Sequence, residues 1–116
     1  MIDVISYNGE GYAKQIGFQT WKVALIRYAE RFDAKNIKRL ERHLLTDEVF
    51  VLLEGTALLY TESDEIPMEK GKLYNVRQGS WHAISCSEDG LVLIVENDDT
   101  GLQNTEYVPR TAAEAR

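Results

Sequence analysis

Apolar side chains along this chain recur in short runs with a period of two, the spacing of a pleated strand rather than of a helix. Trp21 to Tyr28 (WKVALIRY) puts Trp21, Val23 and Leu25 on one face and Ala24, Ile26 and Tyr28 on the other, and it is rich in the branched and aromatic residues that suit a sheet. Val49 to Leu53 (VFVLL) and Thr56 to Tyr60 (TALLY) flank Glu54-Gly55, a turn signal, and are predicted as neighbouring strands. Leu73 to Val76, Ala83 to Cys86 and Leu91 to Val95 follow, separated by the turn chemistry of Gly79-Ser80 and Glu88-Asp89-Gly90. No internal repeat or linker divides the chain. The pattern predicts an all-β sandwich or barrel. Several runs are apolar on both faces, which predicts a second cover from a partner subunit or from the N-terminal segment.

Asp33 to Leu45 (DAKNIKRLERHLL) satisfies two periods. As a helix, it places Ile37, Leu40 and Leu44 on one stripe with Asp33 as N-cap. As a strand, it places Glu41 and His43 on one face and Leu40, Arg42 and Leu44 on the other. After Asp98-Asp99-Thr100-Gly101 the β periodicity fades, so residues 20–98 are expected to form the core of a single domain spanning 1–116. Residues 102–116 are expected as a C-terminal tail, with a short helix or frayed end at Thr111 to Arg116.

Composition narrows the function. A chain of 116 residues, 44% hydrophobic and 28% charged, is the size and character of one folded domain with a modest core, which oligomerisation would help; a homodimer is expected. With 13 Lys+Arg against 19 Asp+Glu, the net charge of -6 has the wrong sign for attraction to a phosphate backbone or an anionic membrane. No nucleic-acid or membrane partner is expected. The lone Cys86 leaves no intramolecular disulfide and no multi-cysteine zinc site, which suits a reducing, cytoplasmic setting. The N-terminus has no basic region followed by an apolar one, and the apolar runs fall far below the ~20 residues of a membrane span.

The chemistry-bearing residues lie in two patterned stretches. The first reads Glu41-Arg42-His43, four residues, Glu48, six residues, Gly55; the second reads Gly71, seven residues, Gly79, two residues, His82. The pair resembles the two motifs of the cupin family, His-x-His-x3–4-Glu-x6-Gly and Gly-x5-Pro-x-Gly-x2-His-x3-Asn. His43, Glu48, Gly55, Gly71, Gly79 and His82 match. Glu41 stands for the first His, Arg77 for Pro and Cys86 for Asn, and no Gly stands six residues before Glu41. The 15 residues between Gly55 and Gly71 fit the short spacing of small microbial cupins, and the motifs span residues 41–86.

The resemblance implies a cupin-like jelly-roll β-barrel (double-stranded β-helix) and a metal held at these positions. Carried over, the ligand set is Glu41, His43, Glu48 and His82. Alternation alone puts positions 41 and 43 side by side, and a strand starting near Gly79 would carry His82, Ile84 and Cys86 on one face. Two histidines with two carboxylates favour Mn, Fe(II) or Zn over Cu(I). Glu41 reads as the fourth ligand, as a general base, or as a solvated residue paired with Arg39 or Arg42. The implied function is a small-molecule-binding cupin of unknown substrate with a divalent transition metal in the barrel. The alternatives are a non-catalytic ligand-binding or sensor cupin without metal and a metal-free sugar isomerase of the epimerase type, with His43 or His82 in acid–base work. Cys86 reads as a small buried hydrophobe, a soft ligand or a reactive thiol. Trp81, on the opposite face from His82, reads as packing or an interface anchor, and Tyr28, Tyr60 and Tyr74 as candidate cavity residues. Lys35, Lys38, Arg39 and Arg42 form a solvated basic cluster.

Overall fold

The computed structural model describes residues 1–110, so the expected helix or frayed end at 111–116 lies outside the described residues. Among the described residues there are ten strands: β1 Gly11–Phe18, β2 Trp21–Arg27, β3 Arg39–His43, β4 Glu48–Glu54, β5 Ala57–Tyr60, β6 Glu65–Pro67, β7 Tyr74–Val76, β8 Ala83–Cys86, β9 Leu91–Asn97 and β10 Thr105–Pro109. One antiparallel sheet runs β1-β2-β9-β4-β7. Facing it are the pair β10-β3 and the sheet β6-β5-β8. They are joined by a bridge between Glu41 and His82, each donating its backbone N–H to the other's carbonyl at 2.8 Å. The fold class is all-β, as the periodicity predicts, and among the described residues no helix is long and apolar enough to cross a membrane.

Asp33 to Leu45 resolves into parts of both readings. Its first residues form a single 3-10 turn, Ala34–Asn36, capped by the Asp33 carboxylate accepting from Lys35 N, and Arg39–His43 within it is strand β3. All five residues of β3 pair with β10 through their register, an interaction that outweighs a helical stripe of three apolar residues. The prediction that 49–53 and 56–60 are neighbouring strands is corrected: β4 lies in the five-stranded sheet and β5 in the other. The chain changes sheets at Gly55, where φ is +70° and a Cβ would stand 2.6 Å from Ser87 Oγ, so glycine is required on both counts. Ordered β-structure also exceeds the expected 20–98 core. Residues Gly11–Phe18 form β1, and the expected tail contains β10, which pairs register for register with β3 from Thr105↔His43 to Pro109↔Arg39.

The inner face of the large sheet positions the site. β2, β4 and β9 alternate buried and less buried residues, turning Lys22, Ala24 and Ile26, Glu48, Phe50 and Leu52, and Val92, Ile94 and Glu96 inward. Register aligns Ala24 with Ile94 and Phe50, and Ile26 with Val92 and Leu52, in two apolar rows. These rows carry the core together with Leu59, Ile84 and Cys86 from the opposite sheet, each such side chain contributing about 1.5–3 kcal/mol by leaving water. The third row is polar: Lys22 stands opposite Glu96, and Glu48 enters at the same end of β4. The interior is thus apolar along most of its length and charged at one end.

Candidate active site at the polar end of the barrel

Three elements converge there. β3 ends in His43 with Glu41 two residues earlier, β4 begins with Glu48, and His82 precedes β8, held to Glu41 by the paired backbone hydrogen bonds. The four residues predicted from the motifs are therefore brought together. His43 Nε2 lies 3.0 Å and His82 Nε2 2.9 Å from the same atom, Glu48 Oε1. The two imidazole rings meet edge-on with centroids 5.2 Å apart, and Phe50 packs against His82 at 5.9 Å. His43, Glu48 and His82 are buried; Glu41 is half-buried.

The second ring nitrogens are also fixed. His82 Nδ1 is 3.0 Å from the carbonyl of Ser80, an atom that only accepts, so this nitrogen carries a proton. His43 Nδ1 is 3.0 Å from Thr105 Oγ1 on β10. Outer partners of this kind orient histidines that ligate a metal through the other nitrogen.

Burial opposes charge on His43 and His82, but the hydrogen bond and the negative charge of Glu48 outweigh it and raise both imidazoles above their ordinary value. Burial likewise acts to raise Glu48, and the hydrogen bonds from the two histidines overcome it and hold the carboxyl down at about 2.

Glu41 joins His43 and His82 with ligand atoms within 4.8 Å of one another. It is not paired with the neighbouring arginines. Arg42 donates to Glu106 at 2.8 Å and lies over the Trp81 ring, while Arg39 stacks on Tyr107 at 3.8 Å. Trp81 thus packs, as its face predicts. Lys35, Lys38 and Arg39 are exposed and Arg42 is half-buried. Cys86 is buried in the apolar core, where desolvation pushes its thiol up, and it is not part of the His/Glu clusters. Tyr28, Tyr60 and Tyr74 do not line this cavity. Tyr60 is buried and shares a hydrogen bond with Ser85, Tyr74 accepts from Glu69 N, and Tyr28 lines a separate 540 Å³ pocket.

Sequence reasoning missed Glu96, Lys22 and Tyr12. Glu96 forms a second cluster with His43 and Glu48, again with ligand atoms within 4.8 Å. One of its oxygens accepts from the Tyr12 hydroxyl at 2.8 Å, and the other is buried with no partner. Burial and then the charge of Glu48 push its carboxyl up to about 7. The signal was parity: Glu96 continues the inward series Val92, Ile94, and Lys22 begins the series Ala24, Ile26. The cavity bounded by these groups measures about 240 Å³.

The donor chemistry fits a divalent metal. Imidazole nitrogens and carboxylate oxygens converge at 2.9–3.0 Å, near the separation of two ligands that share one ion, and both histidines have their other nitrogen engaged.

No family model matches the sequence, and no curated protein matches it. Solved structures do. A cupin-2 domain protein from Shewanella frigidimarina is 19% identical over 77% of this chain and 83% of its own, with a TM-score of 0.61. The nucleoside dehydratase Pac13, from Streptomyces, is 11% identical over 89% and 82%, with a TM-score of 0.65. KdgF from Halomonas sp. is 12% identical over 74% and 76%, with a TM-score of 0.56. At these identities the likeness speaks for the fold, and the fold of this chain is that of a small cupin domain.

Proposed function

We propose that this chain is a small-molecule-binding cupin that holds a divalent transition metal through His43, Glu48 and His82. Glu41 serves as the fourth ligand or as the base that takes a proton from the bound molecule. The observation that supports the reading is at His82: with Nδ1 donating to Ser80, the ring turns Nε2 toward the Glu48 carboxylate, the orientation of a histidine that ligates through Nε2, and either a proton or a metal ion sits between the two. Two histidines and two carboxylates suit Mn, Fe(II) or Zn, and such an ion supplies Lewis acidity toward an oxygen of the ligand. Around it, Phe50 excludes water from His82, while Thr105 and Ser80 hold the rings. The small-molecule part is supported by the 240 Å³ cavity, and Pac13, of similar fold, has been solved with uridine. Elemental analysis of protein purified without an affinity-tag metal tests the reading: about one ion per chain supports it, and an empty site after incubation with Mn, Fe(II), Zn and Ni ends it.

One observation favours a second reading, a metal-free binding domain or isomerase. Glu48 Oε1 is within hydrogen-bond distance of both histidines, so protons alone can satisfy the trio. The same analysis separates the two.

We also propose a homodimer. On the outer face of the large sheet, Val23, Leu25, Val49, Val51, Leu93 and Val95 are only half-buried and lie in aligned rows, Val23-Val95-Val49 and Leu25-Leu93-Val51. A second copy offers the same flat apolar face.

A further inference from the structure

Lys22 and Glu96 face each other across β2 and β9 in the cavity, both more than nine-tenths buried. Directly opposed residues of opposite charge would be expected to pair. Among the described residues no ion pair joins them. The Lys22 ammonium reaches one hydrogen-bond acceptor, the Thr100 carbonyl, at 3.4 Å, and lies 5.8 Å from the centre of the Tyr12 ring, although it has three donors. Glu96 gives one oxygen to Tyr12 and leaves the other buried and unpartnered. Leaving buried charged groups short of partners destabilises a fold, which is accounted for when a bound molecule completes them.

We propose that Lys22 and Glu96 form a recognition subsite for a small hydroxy-carboxylate, its carboxylate held by Lys22 and a hydroxyl donated to the free oxygen of Glu96. The anionic group follows from the unused donors of Lys22, and Arg31 adds positive charge to the cavity wall. A phosphate dianion fits less well, because a single lysine would face two charges with Glu96 alongside. The second group is a neutral hydroxyl rather than an ammonium, because an ammonium at Glu96 would stand beside Lys22. The inference deepens the small-molecule part of the proposed function and needs no metal.

Calorimetry on the purified protein, before and after dialysis against a chelator, tests it with lactate, malate and gluconate against their unhydroxylated counterparts propionate, succinate and hexanoate. At least one hydroxy acid is expected to bind at least tenfold more tightly than its counterpart in both preparations. Lys22→Met and Glu96→Gln, checked by melting for intact folding, are each expected to weaken that binding at least tenfold. Absence of binding by all three hydroxy acids, equal binding of the paired acids, or folded Lys22→Met protein with wild-type affinity would overturn the proposal. The paired-acid comparison uses wild-type protein alone. A protein that binds no metal yet distinguishes the acids would refute the metal reading and uphold this one.

Discussion

Nε2 of His82 lies 2.9 Å from Oε1 of Glu48, and a neutral imidazole has no proton to place between them, because its single proton is directed from Nδ1 to the carbonyl of Ser80. The pair therefore exists in one of two states: an imidazolium bound to a carboxylate, or two ligands of one cation. His43 meets the same oxygen at 3.0 Å, so the choice is made for three residues together.

Removing one member separates the states. If the trio holds a metal, His82→Ala should lower metal content from about one ion per chain to a small fraction, because it leaves an incomplete ligand shell around the ion. Glu41→Gln keeps the shape of the side chain and removes its charge. As a ligand, Glu41 should lose about tenfold or more in affinity when changed; as a base it should leave affinity nearly unchanged while turnover falls. Metal titration followed by elemental analysis reads the affinity and so separates ligand from base.

In the absence of metal, stability should depend on pH with a sign set by these groups. The raised His43 and His82 stabilise the fold fully below their ordinary value of 6.5, and that contribution is lost as pH rises through their folded values. The lowered Glu48 stabilises above its ordinary 4.5, and that contribution is lost as pH falls toward about 2. Glu96, raised to about 7, favours the fold below 4.5 and is lost between there and about 7. Chelator-treated protein should therefore melt highest near pH 5 and lower at pH 8. Glu96→Gln should raise melting at pH 8 by a few °C, about 1 kcal/mol after discounting for solvent, and change it little at pH 5. Thermal melts of both proteins at the two pH values decide, and an unchanged melt at pH 8 would count against a charged, buried Glu96.

The strands were legible because alternation is local: Ile26, Phe50 and Ile94 mark their faces whatever they meet across the core. The metal-ligand candidates were legible through the resemblance to the cupin motifs, whose spacings are carried by the sequence itself, and alternation within β3 placed Glu41 and His43 on one face. What did not show was long-range. Nothing near Thr105 reveals that it will pair with His43, because the pairing is between strands some sixty positions apart and β10 is short and largely polar. Glu96 was missed because the apolar run was ended at Val95, although the inward parity passed through it. The expected pairing of β4 with β5 failed because a turn signal at Gly55 does not distinguish a hairpin from a corner between two sheets.

The outer rows of the large sheet predict an assembly. Light scattering should give twice the 13.2 kDa of one chain at micromolar concentration. Leu93→Lys places a charge at the centre of the row Leu25-Leu93-Val51 and should return the monomer, while leaving the β signal in circular dichroism intact. A wild-type monomer would remove this interface and leave the half-buried valines without a cover.

Thr105 offers a test of the site that leaves every proposed ligand in place. Its hydroxyl is 3.0 Å from His43 Nδ1, and its strand is aligned residue for residue with that of His43, so it holds the ring in the orientation that presents Nε2 to Glu48. Thr105→Val keeps the shape and the strand preference and removes only the hydroxyl. Loss of an outer partner of a ligating histidine typically costs 10–100-fold in affinity, so Thr105→Val should weaken metal binding about tenfold, while the fold loses about 1 kcal/mol from one hydrogen bond. Thr105→Ser restores the hydroxyl and should restore affinity. Metal titrations of the three proteins, with melts alongside, give the result: equal affinity in Thr105→Val and wild type would mean that the Thr105 hydroxyl does not orient a metal ligand, and His43 would have to be held by Glu48 alone.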